Sequence, residues 1–241
     1  MSIRCKACKS ESTVLIDPSD ISTIMFRASS SNAGFHFYET VYCENCGILF
    51  MSKFPEKGKL IELYNGDYRN SDFAIEHENE LFDLPIQIPF SGFSYARFKM
   101  FKKIVEKCGL KIPNESDLFL DYGGYQGFFL LAVKQIYGSR VLNYDYSQAG
   151  IEFSSKALGI PGYIAKDINT DIFEEKVNFV TLLHVFEHIE DPCGFLSHLK
   201  TNVLADDGYL YIEVPCIYGD ALVDPTHLFT YNICSLSNIL E

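Results

Sequence analysis

The run Leu118-Phe119-Leu120-Asp121-Tyr122-Gly123-Gly124-Tyr125-Gln126-Gly127-Phe128 reads as an apolar strand, a glycine loop and the first turn of a helix. Glycines let the backbone approach a ligand closely and adopt conformations that a Cβ would forbid. The helix behind them, expected over Phe128 to Tyr137, offers unpaired N–H groups at its N-terminus. Alone, such a loop is a weak signal, since many nucleotide folds use one and a tight strand-to-helix turn with no ligand is the lesser alternative. The same alternation continues outward. Arg140 to Tyr144 reads as a strand, Ala149 to Leu158 as a helix and Phe179 to Leu183 as a buried strand. Cys193 to Val203 reads as a helix and Tyr209 to Val214 as a further strand. This pattern implies an α/β fold, a Rossmann-like, doubly wound parallel sheet with helices on both faces.

Two acids downstream bear on the loop. Asp145, in Val141-Leu142-Asn143-Tyr144-Asp145-Tyr146-Ser147, lies 18 residues beyond Gly127, at a strand end where a carboxylate can take both ribose hydroxyls. Asp167, in the short strand end Ala165-Lys166-Asp167-Ile168, is suited to accept from an adenine amino group, or else caps the following turn. Ligands of open parallel sheets sit outside the carboxyl ends of the strands, where these residues fall.

At the other end of the chain, Cys5-x-x-Cys8 and Cys43-x-x-Cys46-Gly47 form two CxxC pairs separated by 34 residues. Two such turns complete a tetrahedral Zn2+ site with no open position, so its expected role is structural. The spacer must fold back, and β-prone runs at His36-Phe37-Tyr38 and Thr40-Val41-Tyr42 suit a hairpin. Residues 1–55 are therefore expected to be a zinc-binding module and residues 56–116 a mostly helical connecting segment. Residues 117–241 follow as the ligand-binding core. In the connecting segment Lys59 to Tyr64 starts one helix and Tyr95 to Cys108 forms another, ending at Gly109.

Composition narrows the classes. Of 241 residues, 32 are acidic and 20 basic, a net charge of −12, and there is no long Lys/Arg run. Phosphate neutralisation dominates nucleic-acid affinity, so no nucleic-acid partner is expected. No stretch of eighteen apolar residues occurs, so no membrane span is expected. Eight cysteines without an export signal suggest reduced thiols in a soluble, cytoplasmic protein.

The set Asp121-x-Gly123-x-x-x-Gly127, Asp145 and Asp167 resembles the ordered motifs of class I S-adenosylmethionine-dependent methyltransferases. The block Val180-Thr181-Leu182-Leu183-His184-Val185-Phe186-Glu187-His188-Ile189-Glu190-Asp191-Pro192, then Leu204-Ala205-Asp206-Asp207-Gly208-Tyr209-Leu210, is similar to a segment of ubiquinone-biosynthesis-type methyltransferases. Tyr125 stands where the middle glycine of the loop is usual. A dinucleotide dehydrogenase would keep that glycine for its pyrophosphate. Over nearly the whole chain, the paired CxxC module, Leu63-Tyr64-x-x-Asp67-Tyr68 and the core together resemble the sugar C-methyltransferases, which often lack the same glycine.

That resemblance implies an enzyme with S-adenosyl-L-methionine as cofactor and a nucleotide sugar or glycan precursor as acceptor. The cofactor would be held by Asp121, Gly123, Gly124, Tyr125, Gly127, Asp145, Tyr146, Asp167, Ile168 and His184. Cys5, Cys8, Cys43 and Cys46 would hold the zinc. Asp224-Pro225-Thr226-His227-Leu228-Phe229-Thr230 sits where the family carries a Glu-His pair; His227 matches and Thr226 replaces the glutamate.

Methyl transfer is an in-line displacement that requires the nucleophile to be held about 3 Å from the methyl group. A carbon nucleophile also needs a base, and an oxygen nucleophile milder help. The candidates are His184, His188 and His227; Glu187 and His188 have a second reading as caps of the following helix. Tyr68 is an active-site wall or cofactor contact, or else a packing residue, and His36, His77 and His198 have no motif context. Carbon and oxygen acceptors both stay open. So do two rival readings, an O-methyltransferase for a quinone-like or lipid substrate and a non-catalytic binding module. The class I fold closes on an antiparallel hairpin of its sixth and seventh strands. With the last helix beginning near Ser235 and the chain ending at Glu241, that hairpin is expected to be missing.

Overall fold

The computed structural model describes residues 3–16, 39–55, 93–165, 173–215 and 227–241. In chain order its strands are β1 (Thr13–Leu15), β2 (Thr40–Cys43), β3 (Leu49–Met51), β4 (Leu118–Tyr122), β5 (Arg140–Asp145), β6 (Gly162–Ile164), β7 (Val177–Leu183), β8 (Leu204–Glu213) and β9 (Phe229–Thr230). The helices are α1 (Phe93–Lys107), α2 (Phe128–Tyr137), α3 (Gln148–Leu158), α4 (Pro192–His198) and α5 (Ile233–Leu240). They fall into two compact units. One lies within Met1–Leu60, His184–Leu199 and Glu213–Glu241, the other within Ile61–Leu183 and Lys200–Ile212.

The second unit carries the parallel sheet, in strand order β6-β5-β4-β7-β8. β4 is central and buried along its whole length, as expected of an apolar strand covered on both faces. It pairs in parallel with β5, from Leu118↔Arg140 to Tyr122↔Tyr144, and with β7, from Phe119↔Phe179 to Tyr122↔Leu182. One face packs on α1 and α2. Phe98, Phe101 and Val105 recur along α1 at helical spacing and meet Phe119, Phe129, Val141 and Phe179. Phe119 lies stacked on Phe179 at 5.3 Å and meets Phe101 edge-on at 5.6 Å. Phe119→Ala is therefore expected to cost about 3–5 kcal/mol, measured as a fall in the denaturant midpoint at unchanged m-value.

The sequence-based bounds shift most at two places. Among the described residues the short third strand is Gly162–Ile164, paired with β5 up to Asp145↔Ile164. The helix expected over Cys193 to Val203 keeps regular α-geometry only to His198 and passes through a wider π-type turn over Leu199–Val203. β8 starts five residues earlier than expected. Asp167, Ile168, Tyr68, Thr226 and the helix expected at Lys59 to Tyr64 lie outside the described residues.

The first unit holds an antiparallel sheet in the order β1-β2-β3-β9. β9 comes from near the C-terminal end of the sequence and pairs with β3 through Leu49↔Thr230 and Phe50↔Phe229. α5 opens on a capping box in which Asn232 and Ser235 exchange side-chain-to-backbone hydrogen bonds. Among the described residues, no helix is long and apolar enough to cross a membrane.

Candidate active site and metal centre

In the second unit the loop between β4 and α2 is drawn tightly onto β5. Gly123 adopts φ 74° and donates its N–H to the Tyr144 carbonyl at 2.7 Å. A Cβ on Gly124 would run into Asn143 Oδ1 and stand 2.9 Å from Asp121 Oδ2, so glycine is required there. Tyr125, at φ 46°, donates its N–H to Asp145 Oδ2 at 2.8 Å, and its carbonyl accepts from Asn143 Nδ2 at 2.7 Å. The absent middle glycine thus leaves a tyrosine in the left-handed conformation that a glycine would have eased. Gly127 is the N-cap of α2, at φ 80°, and as a glycine brings no capping side chain of its own.

Asp145 is buried, and its second oxygen accepts from Ser147 N–H at 2.7 Å. Among the described residues each oxygen takes one backbone donor, and a carboxylate oxygen can accept a second hydrogen bond, as binding a diol requires. Tyr146 follows it, half-buried. Asp121 is buried and accepts from Thr181 Oγ1 at 2.6 Å. Burial pushes its carboxyl up to about 7, Thr181 and Arg97 pull it back, and the Asp145 charge adds to the rise. The folded state therefore holds a proton that the unfolded chain releases near pH 4, and stability falls as pH rises from about 4 to about 7. Asp121→Asn is expected to lose less melting temperature than the parent chain between pH 5 and pH 7.5; equal losses would contradict this. Asn143 and Thr181 were not singled out in the sequence. The period-2 pattern of β5 could have found Asn143, which lies two residues before Asp145 on the same strand face.

In the first unit Cys5, Cys8, Cys43 and Cys46 converge, with every sulfur within 4.8 Å of the others. Cys5 and Cys46 stand 3.9 Å apart and Cys8 and Cys43 3.6 Å. Zn–S bonds of about 2.3 Å in a tetrahedron place sulfurs about 3.8 Å apart, so the four thiols fit zinc. Each CxxC turn closes the same way. Lys9 and Gly47 both have positive φ, and their N–H groups donate back to the Cys5 and Cys43 carbonyls. The C-terminal part braces the cluster: Asn238 Nδ2 donates to the Cys46 carbonyl and Asn232 Nδ2 to that of Gly47, each at 3.3 Å. The Cys46 contact lowers the Cys5 thiol to about 5, while the same contact raises Cys46.

The same unit gathers the three candidate histidines around one carboxylate. Glu187 is buried, and its Oε1 lies 3.6 Å from His184 Nδ1, 3.8 Å from His188 Nε2 and 3.9 Å from His227 Nε2. His184 also reaches Glu213 Oε1 through Nε2 at 3.2 Å. The His188 and His227 rings meet edge-on at 4.9 Å. Leu228 donates its N–H to the Glu187 carbonyl at 3.0 Å, which ties the His227 segment to the turn bearing Glu187. Capping does not explain Glu187 or His188, because Asp191 caps α4 through Gly194 N–H. Glu187 and Glu213, read at most as caps or passed over in the sequence, are the groups that join these histidines.

No curated protein sequence matches the chain. Among solved structures, the chain is similar to geranyl diphosphate C-methyltransferase from Streptomyces coelicolor A3(2), in complex with Mg2+, geranyl-S-thiolodiphosphate and S-adenosyl-L-homocysteine. The identity is 12%, over 67% of this chain and 68% of that one, with a TM-score of 0.50. It is also similar to coclaurine N-methyltransferase bound to N-methylheliamine and SAH (23% identity, 51% of this chain, 36% of that one, TM-score 0.43). A third is the putative methyltransferase complexed with the Trm112 activator from Haloferax volcanii (18%, 55% and 62%, TM-score 0.40). The chain thus spans less than two thirds of the length of these last two. The model of the methyltransferase domain matches residues 93–236, more than half of the sequence. With this sheet order and this match, the chain belongs to the methyltransferase domain family.

Proposed function

We propose that this protein transfers a methyl group from S-adenosylmethionine to a small molecule, with a sugar or sugar nucleotide as the acceptor. The observation that carries the reading is the bond between the Tyr125 N–H and Asp145, which joins the glycine loop to a strand-end carboxylate. In this reading Gly123, Gly124 and Gly127 keep the loop close to the ligand, Asp145 accepts from the ribose, and Asp167 and Ile168 flank the base. The bound cofactor supplies an electrophilic methyl group on a positively charged sulfonium. Asp121 provides a carboxyl whose charge a nearby cation favours. We assign activation of the acceptor to His184, His188 and His227. The four cysteines hold structural zinc. The sugar class rests on the paired CxxC module together with His227.

The test is transfer of labelled methyl from S-adenosylmethionine to a panel of keto-deoxysugar nucleotides, run beside a panel of quinols and lipid phenols. Label in the sugar panel, lost in His227→Asn, is the expected result. Label confined to the other panel would overturn the acceptor class.

A further inference from the structure

We infer that Glu187, His188 and His227 form a second cation site, which takes one divalent transition ion through a carboxylate oxygen and two imidazole nitrogens. Their three donor atoms lie within 4.8 Å of one another, and the groups are shielded, with Glu187 at 1% exposure and the His188 and His227 side chains at 13% and 16%. The separations from Glu187 Oε1, 3.8 Å and 3.9 Å, are too long for hydrogen bonds. They match the 3.6 Å and 3.9 Å gaps between the sulfurs of the thiolate site, where an ion fits between the ligands. Bonds of about 2.1 Å to oxygen and nitrogen put neighbouring ligands about 3.4 Å apart in a tetrahedron, so the two pairs made with Glu187 Oε1 have to close by about half an ångström.

The scaffold is already set. Glu187 and His188 share the single turn Phe186–His188, the Leu228 N–H clamps that turn to the His227 segment, and Phe186 stacks on Tyr231 at 5.2 Å behind it. His184 Nδ1, 3.6 Å from the same oxygen and bonded on its other nitrogen to Glu213, stands beside the site on its more exposed side. Two imidazoles and one carboxylate suit Zn2+, Fe2+, Mn2+ or Co2+ rather than Ca2+ or Mg2+, which favour oxygen ligands. Three protein ligands leave open positions, so the ion would be exchangeable and able to polarise an acceptor oxygen. Its existence is independent of the methyl-transfer reading. Its use there rests on that reading, and identifies the acceptor as a molecule with a carbonyl or hydroxyl next to the methylated atom.

The test is titration of the full, zinc-loaded chain with Co2+, followed by visible absorption, with no methyl donor present. The expected result is one Co2+ per chain with weak d–d bands of nitrogen and oxygen ligation, and no thiolate charge-transfer band. Glu187→Gln and, separately, His227→Asn are expected to weaken that binding at least about tenfold. The near-ultraviolet dichroism of each variant reports whether it has folded, and His227→Asn serves if Glu187→Gln does not fold. No Co2+ uptake by the zinc-loaded parent chain, a thiolate charge-transfer band alone, or equal Co2+ binding by parent and folded variants would overturn the site. Calorimetric binding of the methyl donor, measured apart from this, decides the methyl-transfer reading on its own.

Discussion

Replacing Cys43 or Cys46 with serine is expected to unfold the first unit, and a strong zinc chelator is expected to do the same to the parent chain. Both cysteines are fully buried at one corner of a small sheet whose strands are two to four residues long. Strands this short bury little, and such a sheet depends on a staple. Structural zinc supplies about 10–16 kcal/mol of apparent binding energy in small zinc-dependent peptides, far more than any single contact here. The cluster also anchors its surroundings, since the Cys46 and Gly47 carbonyls accept from Asn238 and Asn232 at the start and along the length of α5. Loss of zinc should therefore loosen the C-terminal helix as well as the N-terminal knuckles. Amide exchange checks this: fast exchange across 39–55 and 232–240 after chelation, with 118–145 still protected, is the expected pattern. Unchanged protection of 232–240 would show that α5 does not depend on the metal.

The second large effect is expected at Gly124. In Gly124→Ala the new methyl would displace Asn143 Oδ1 and press on Asp121. Asn143 holds the Tyr125 carbonyl, and Tyr125 in turn holds Asp145, so one displaced amide unties the loop from the strand-end acid. Overpacking of this kind costs about 1–3 kcal/mol, and tenfold in affinity corresponds to about 1.4 kcal/mol. Because the loop is also the proposed ligand surface, the strain should show both as a lowered melting temperature and as a loss of cofactor affinity of about 10- to 100-fold by calorimetry. A variant that binds as tightly as the parent would remove this loop from the cofactor site.

The parallel sheet was legible in the sequence because its strands are continuous apolar runs and its turns carry glycine. The bounds of α2, from Phe128 to Tyr137, follow directly from the left-handed Gly127 and Gly138 at its ends. The cysteine cluster was legible from spacing alone. β9 was not. A two-residue strand has no periodicity to detect, and its partner β3 lies about 180 residues earlier in the chain. The carboxylate at the centre of the histidine cluster was also obscured, because Glu187 precedes a helix in a sequence context that suits a cap, and only the fold assigns that task to Asp191. Tyr125 departs from the glycine usual at its place in the loop. Its backbone proves to do what the missing glycine would do, with its N–H on Asp145 and its ring packed against Gly150 on α3.

The central claim is that the loop and Asp145 bind S-adenosylmethionine. The most direct measurement is calorimetric titration of the zinc-loaded chain with S-adenosylmethionine and S-adenosylhomocysteine, repeated on Asp145→Ala. One site per chain for both ligands, lost in the variant while its melting profile stays cooperative, is the predicted result. No heat from either ligand with the folded parent chain, or undiminished binding by Asp145→Ala, would contradict the account.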